Sequence, residues 1–228
     1  MTSDKTKIRN AATVIVVRNK QDNPSVLMGQ RGMNAAFMPS KFVFPGGAVD
    51  DQDLSINIKN SINEVCKHRL LKENKSGPWN ALVAAAIREL FEETGQIIGL
   101  EQKWPEAPSS WKDFAKTGYV PDASNMFFVF RAITPPGRPR RFDARFFLIQ
   151  AEELQTNLDD FSMASDELSH LQWIPLTDTK NFDLPFITKV VLAEITGNLM
   201  NSGPPSRVPF FQNTTEESHI FYIDEESN

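Results

Sequence analysis

The chain has 228 residues, a formal net charge of −5 and a pI near 5.3, which argues against a general nucleic-acid binder because phosphate recognition needs a basic footprint. Its length suits one domain, residues 1–228, burying about 70–75% of its unfolded surface. A single cysteine, Cys66, excludes an internal disulfide and fits a reducing compartment; with no apolar run near the ~18–20 residues of a membrane span, and no apolar secretion core in Met1 to Lys5, a soluble cytoplasmic protein is expected.

In chain order, the β-branched run at residues 11–18 predicts a buried strand. Asn23-Pro24 predicts the turn into a second strand at residues 25–31, followed by a loop over 32–40. The apolar Phe42-Val43-Phe44 then leads into Pro45-Gly46-Gly47, a tight turn where glycine lets the backbone approach a ligand or ion. Ile58, Ile62, Val65, Cys66 and Arg69 recur every three to four residues, predicting an amphipathic helix over about 57–73 that Lys75-Ser76-Gly77-Pro78 ends, with Cys66 as a small packed residue. A second helix runs from Trp79 or Asn80 to Thr94, and Gly95 stops it. Residues 104–121, with three prolines and two tryptophans, read as a connection with a short helix. Strands follow at 126–133 and 144–149, joined by the Arg138-, Arg140- and Arg141-bearing loop, and another at 171–174. Asp183, as N-cap before Pro185, opens a helix carrying Ile187, Val190, Val191 and Ile195, which Gly197 ends. The tail, about 201–228, is expected to be only partly ordered, and the alternation of strands and helices gives an α/β class.

The helix at 79–94 carries the chemistry. Glu89, Glu92 and Glu93 stand at i, i+3 and i+4, within a ~100° arc of one face. Like charges so spaced cost roughly 0.2–0.5 kcal/mol per pair, and Arg88, the i+4 partner of Glu92, offsets only part of this. Val83, Ile87, Leu90 and Phe91 lie opposite, so one face can pack while the other stays open to ions. A hard divalent cation is the economical partner for such carboxylates; a solvated acidic surface is the plain alternative.

Phe44-Pro45-Gly46-Gly47 together with Arg88-Glu89-Leu90-Phe91-Glu92-Glu93-Thr94-Gly95 resembles the signature of the Nudix hydrolases, G-x5-E-x7-R-E-U-x-E-E-x-G-U. Asp53 stands where that family has glutamate, 34 residues instead of seven separate it from Arg88, and Gln96 replaces an aliphatic residue. The box is therefore split by a helical insertion at about 54–79, and the equivalence of Asp53 is open.

The resemblance implies the Nudix fold, a mixed β-sheet sandwiched between α-helices, and hydrolysis of the diphosphate of a nucleotide conjugate. It also implies Mg²⁺ or Mn²⁺ held by Glu92, Glu93 and the Gly47 carbonyl, joined by Glu89, with Arg88 orienting the glutamates. The general base is then Glu167, in the loop before the strand at 171–174, with Glu89 as its main rival and Asp166, Glu152 and Glu153 as weaker choices. Arg31 and the F-P-G-G turn are similar to the coenzyme A diphosphatase motif, although Ala36, Ser40 and Phe42 depart from it. The expected ligand is a small nucleotide, coenzyme A-like or ADP-ribose-like, contacted by Arg31, Arg145 and Arg141. A broad nucleoside diphosphate-sugar pyrophosphatase and a silent Nudix-fold sensor are the alternatives, neither nucleic acid nor membrane is an expected partner, and a homodimer stays open.

Overall fold

The computed structural model describes residues 7–73, 79–201, 203–213 and 217–224. In chain order the strands are β1 (Ile8–Arg18), β2 (Ser25–Arg31), β3 (Phe42–Val43), β4 (Gly46–Ala48), β5 (Gly99–Glu101), β6 (Tyr119–Pro121), β7 (Phe127–Ile133), β8 (Arg141–Gln150), β9 (Leu168–Pro175), β10 (Pro209–Asn213) and β11 (Ser218–Tyr222). The helices are α1 (Glu64–Glu73), α2 (Trp79–Thr94), α3 (Lys112–Lys116) and α4 (Phe186–Asn198).

The main sheet runs β11-β10-β7-β8-β1-β2-β3, with β4 also on β1 and β9 also on β2. At its centre β1 and β8 pair in parallel from Ile8↔Arg141 to Val17↔Gln150, while most other pairings are antiparallel, so the sheet is mixed. Val14 to Val17 are fully buried because both faces are covered. Ala12, Val14 and Val16 pack with Val83, Ile87 and Leu90 of α2, whereas Ile15 and Val17 pack with Val191, Leu192 and Ile195 of α4. This period-two alternation puts α1 and α2 on one side and α4 on the other, the sandwich that the α/β expectation describes.

Packing decides the stability of α2. Leu82, Val83, Ile87 and Leu90 are almost wholly buried, each contributing about 1.5–3 kcal/mol, against repulsions of only a few tenths of a kcal/mol per carboxylate pair. Gly95 ends the helix as expected, at φ +75° with its N–H donating to the Phe91 carbonyl at 2.7 Å.

Several expectations need correction. The inserted helix starts at Glu64, not near residue 57, because the Asn63 side chain accepts from the Val65 N–H and caps it there. Ile62 reaches the core ahead of the helix from non-helical chain, so its spacing imitated a longer helix. The Lys75–Pro78 terminator and Met1 to Lys5 lie outside the described residues. Asp183 does not cap α4: it pairs with Lys41 at 2.6 Å, Pro185 holds the N-cap position, and the helix runs through Gly197 to Asn198. The region 99–121 adds a small β5-β6 sheet, and Trp111 in the connection is fully buried. Within the tail, β10 pairs in parallel with β7 and antiparallel with β11, and Val208, Phe210 and Ile223 enter the core. Cys66 is buried as expected, its sulfur accepting from the Phe128 N–H at 3.4 Å. Among the described residues no helix is long and apolar enough to cross a membrane.

Candidate active site

The split box is reunited in space. Residues 51–55 form a 3₁₀ turn opened by a capping box, in which Asp50 accepts from the Gln52 N–H and Asp53 accepts from the Asp50 N–H at 2.8 Å. That turn delivers Asp53, with no exposed surface, to Arg88 on α2. Arg88 Nε donates to Asp53 Oδ1 at 3.0 Å and Nη2 to Oδ2 at 2.9 Å, a bidentate pair, while Trp111 Nε1 donates to Oδ1 at 3.2 Å. Asp53 thus faces the arginine of the box instead of standing with the carboxylates that follow it. The D-x-x-D spacing of Asp50 and Asp53 was the available signal for the turn; nothing local in the sequence named Arg88 as the partner.

From the same guanidinium, Nη1 reaches Glu89 Oε1 at 2.9 Å and Glu92 Oε2 at 3.0 Å, and Nη2 reaches the Ala48 carbonyl at 3.1 Å. Arg88 therefore ties the end of β4 to three carboxylates. On its far side β4 pairs with β1, Ala12 opposite Gly47, which fixes the glycine turn beside α2. The Gly46 N–H donates to Glu93 Oε2 at 2.7 Å. Gly47 lies so close to Glu89 that a methyl group added there would overlap its carboxylate.

Burial governs the electrostatics. Glu93 is 1% exposed, and among the described residues its Oε1 has no hydrogen-bond partner. Desolvation, reinforced by the neighbouring Glu89 charge, holds its carboxyl well above the usual range, against the Gly46 N–H. Glu89 is pushed up to about 7, first by burial, with Arg88 opposing. Burial also raises Glu92.

Among the described residues no three acidic, imidazole or thiol side chains form a ready metal cluster, since Arg88 draws Glu89 and Glu92 to itself. The donors nevertheless fit a hard cation in kind: carboxylates share one end of α2, and one of them keeps a buried oxygen that no described residue satisfies.

Of these groups Glu89 and the glycine turn border a cleft of about 880 Å³, lined by Glu89, Gly46, Gly47, Arg31 and Glu167 at one part, and by Arg9, Arg138, Arg140, Phe37, Phe142, Phe186 and Phe211 elsewhere. Glu167, just before β9, is exposed and pairs with Arg31 at the end of β2 at 3.0 Å. Arg145 and Arg141 are not brought to the cleft. The first is 2% exposed, because the Asn10 amide of β1 at 2.9 Å and the Asp143 carboxylate of β8 at 3.1 Å engage its guanidinium. The second donates to the Thr134 carbonyl at 3.1 Å from the start of β8, which begins earlier than its apolar run indicated. Their neighbours Arg138 and Arg140 line the cleft in their place. Phe211, Asn213 and Ser218 also line it; the apolar Val208-Pro209-Phe210-Phe211 run in an otherwise polar tail was the one sign that this segment is structural.

Comparison with known proteins agrees with this arrangement. The chain is 29% identical over 179 residues to a Caenorhabditis elegans protein named as a nudix hydrolase, covering 73% of this chain and 51% of that one, so it spans about half the length of this curated relative. It is similar to the crystal structure of a NUDIX hydrolase from Alicyclobacillus acidocaldarius, at 26% identity and a TM-score of 0.60, over 84% of this chain and 92% of the other. A MutT protein from Bacillus halodurans, 14% identical with a TM-score of 0.50 over 96% and 100% of the two chains, shares the fold. No family model matches the chain. An Arg-Glu-x-x-Glu-Glu helix packed against a glycine turn, in a fold shared with these relatives, makes the chain similar to Nudix hydrolases in both sequence and fold.

Proposed function

We propose that the chain is a metal-dependent pyrophosphohydrolase that cleaves the diphosphate of a nucleotide conjugate, coenzyme A-like or ADP-ribose-like, into two phosphorylated products. The observation that carries this reading is the buried, unsatisfied Oε1 of Glu93 beside Glu89 and the Gly46-Gly47 turn, at the edge of a cleft large enough for a nucleotide.

Glu92, Glu93 and the Gly47 carbonyl would hold Mg²⁺ or Mn²⁺, which when bound offsets the charge that builds up on the phosphates. Arg88, anchored by Asp53, keeps the glutamates on one side of α2. Glu89 is the better-placed base: it borders the cleft, is largely buried, and its carboxyl is pushed up to about 7, where a base works best near neutral pH. It takes the proton of the water whose oxygen attacks phosphorus, and the departing phosphate oxygen leaves with the other half of the conjugate. Glu167, exposed and paired with Arg31, suits the orientation of that arginine toward substrate phosphate. Arg31, Arg138, Arg140 and Arg9 give an acidic protein a basic cleft lining, which favours a ligand with several phosphates.

The test is turnover of coenzyme A, ADP-ribose, NADH and dinucleoside polyphosphates with Mg²⁺ or Mn²⁺. Turnover abolished by chelation and lowered at least ~10²-fold in kcat by Glu93→Gln, the scale of removing one preorganised charge-stabilising group, supports the reading. Ligand-stabilised melting with no product from any of them replaces it with the silent sensor.

A further inference from the structure

Three residues of the C-terminal strand pair reach the cleft. Phe211 of β10 stacks at a tilt on Phe186 at the start of α4, with ring centroids 6.0 Å apart. Asn213 donates to the Ile133 carbonyl of β7 at 3.0 Å and accepts from the Ser218 hydroxyl at 2.6 Å. The ladder that joins this pair to the rest of the sheet is short, with Phe210 opposite Arg131 and Phe211 opposite Ala132. Something else must fix its position.

Arg69 on α1 is placed to do so. It is 5% exposed, and its Nη1 and Nη2 donate to the Pro205 and Ser206 carbonyls at 2.7 and 2.9 Å, just before β10. Its Nε donates to Asp224 Oδ1 at 2.9 Å, just after β11. One guanidinium therefore grips the chain on both sides of the strand pair, which its planar fork of donors allows and a lysine ammonium does not. Cys66 and Leu70 of α1 share a core with Val208, Phe210 and Ile223, so the grip sits on a packed base.

We propose that β10 and β11 form a wall of the substrate cleft, with Phe211 as a specificity-determining contact, and that Arg69 on the helix inserted into the box is the positioning residue that holds this wall. The insertion then serves the cleft from behind without covering it. This rests on the proposed function, and its test separates the two.

Kinetics of Arg69→Met, Arg69→Lys, Phe211→Ala and the Arg69→Met/Phe211→Ala pair are compared with the unaltered protein on whichever conjugate it turns over. Arg69→Met should raise KM ~5–10-fold with kcat within about twofold and the Mg²⁺ dependence unmoved, the pattern of lost substrate binding with intact chemistry. Arg69→Lys should restore little of it, since the charge remains and the fork does not. Phe211→Ala should raise KM by a similar factor, and the double variant should rise no further than the larger single change, because the two act through one contact. A fall in kcat at unchanged KM in Arg69→Met, which a merely destabilised protein would give, overturns the proposal. So does an unmoved KM in Phe211→Ala. Should Arg69→Met fail to fold, Asp224→Asn loosens one arm of the grip at a partly exposed site, and an unmoved KM there counts against the proposal. Absence of turnover in the unaltered protein removes the proposed function and this role with it, whereas turnover with unmoved KM removes this role alone.

Discussion

Asp53 and Arg88 show how much one buried pair organises. Asp53 is fully enclosed and its two oxygens are spoken for by Arg88, Trp111 and the Asp50 N–H. Asparagine there keeps the shape but leaves Arg88 in a poorly solvated place with one negative neighbour fewer. Breaking such a pair typically costs 3–5 kcal/mol; because Glu89 and Glu92 still face Arg88, we expect Asp53→Asn to cost about 3 kcal/mol, a fall in Tm of roughly 6–12 °C for a chain of this size. A melting temperature within about two degrees of the unaltered protein would show that Asp53 does not anchor the arginine. At this scale the sequence was informative about Glu89, Glu92 and Glu93, because helical periodicity alone places them on one face. It marked Asp53 but not its role, because its partner is 35 positions away across an insertion, and it misled about Arg145, where a charge in a strand looked functional but satisfies a buried network with Asp143 and Asn10.

Among the elements, β4 has the tightest tolerances. It is three residues long, wedged between β1 and α2, and Gly47 has no room for a side chain on the side of Glu89. Since the conflicting atoms are the far end of a flexible glutamate, Gly47→Ala should fold with little change in Tm while pushing Glu89 aside. Displacement of a reacting group by about an ångström can cost ~10²-fold in rate, and we expect a loss of that order in kcat. Loss of the fold instead, seen by circular dichroism, would mean the strand and not the carboxylate is what the glycine protects. Long periodic elements were legible: β2 and α2 have the ends expected of them, and β1, β7 and β8 differ only at their margins. The misreadings arose where a tertiary contact replaced a local signal, as when Lys41 took Asp183 from its helix and Asn63 capped α1 seven residues late. The β10-β11 pair left only the apolar run at 208–211 as a sign, because its strands are short and are stabilised by Arg69 from another part of the chain.

For the molecule as a whole, the raised carboxyls make stability depend on pH. Glu89 shifts from about 4.5 to about 7 on folding, and Glu93 and Glu92 shift the same way, all led by burial. A carboxyl raised on folding binds its proton more tightly in the native state, so its contribution is fully present below about pH 4.5 and is lost as pH rises through about 7. Chelated protein should therefore lose melting temperature across that interval, and saturating Mg²⁺ should return it at the alkaline end, since a ligand of the native state alone adds RT ln(1 + [L]/Kd). A flat profile in chelator, or one that Mg²⁺ leaves unchanged, would contradict a cation site at these glutamates.

The parallel ladder of β1 on β8 also sets an order of events. Residues 8–17 have their longest partner in residues 141–150, so on a growing chain the apolar first strand can close on β2 and β4 but must wait for most of the remaining polypeptide before its other edge is covered. Contacts of such sequence separation slow folding because loop entropy is lost before the pairing rewards it. Val14-Ile15-Val16-Val17 thus spends synthesis as an open β-edge, and nascent-chain association should concentrate there.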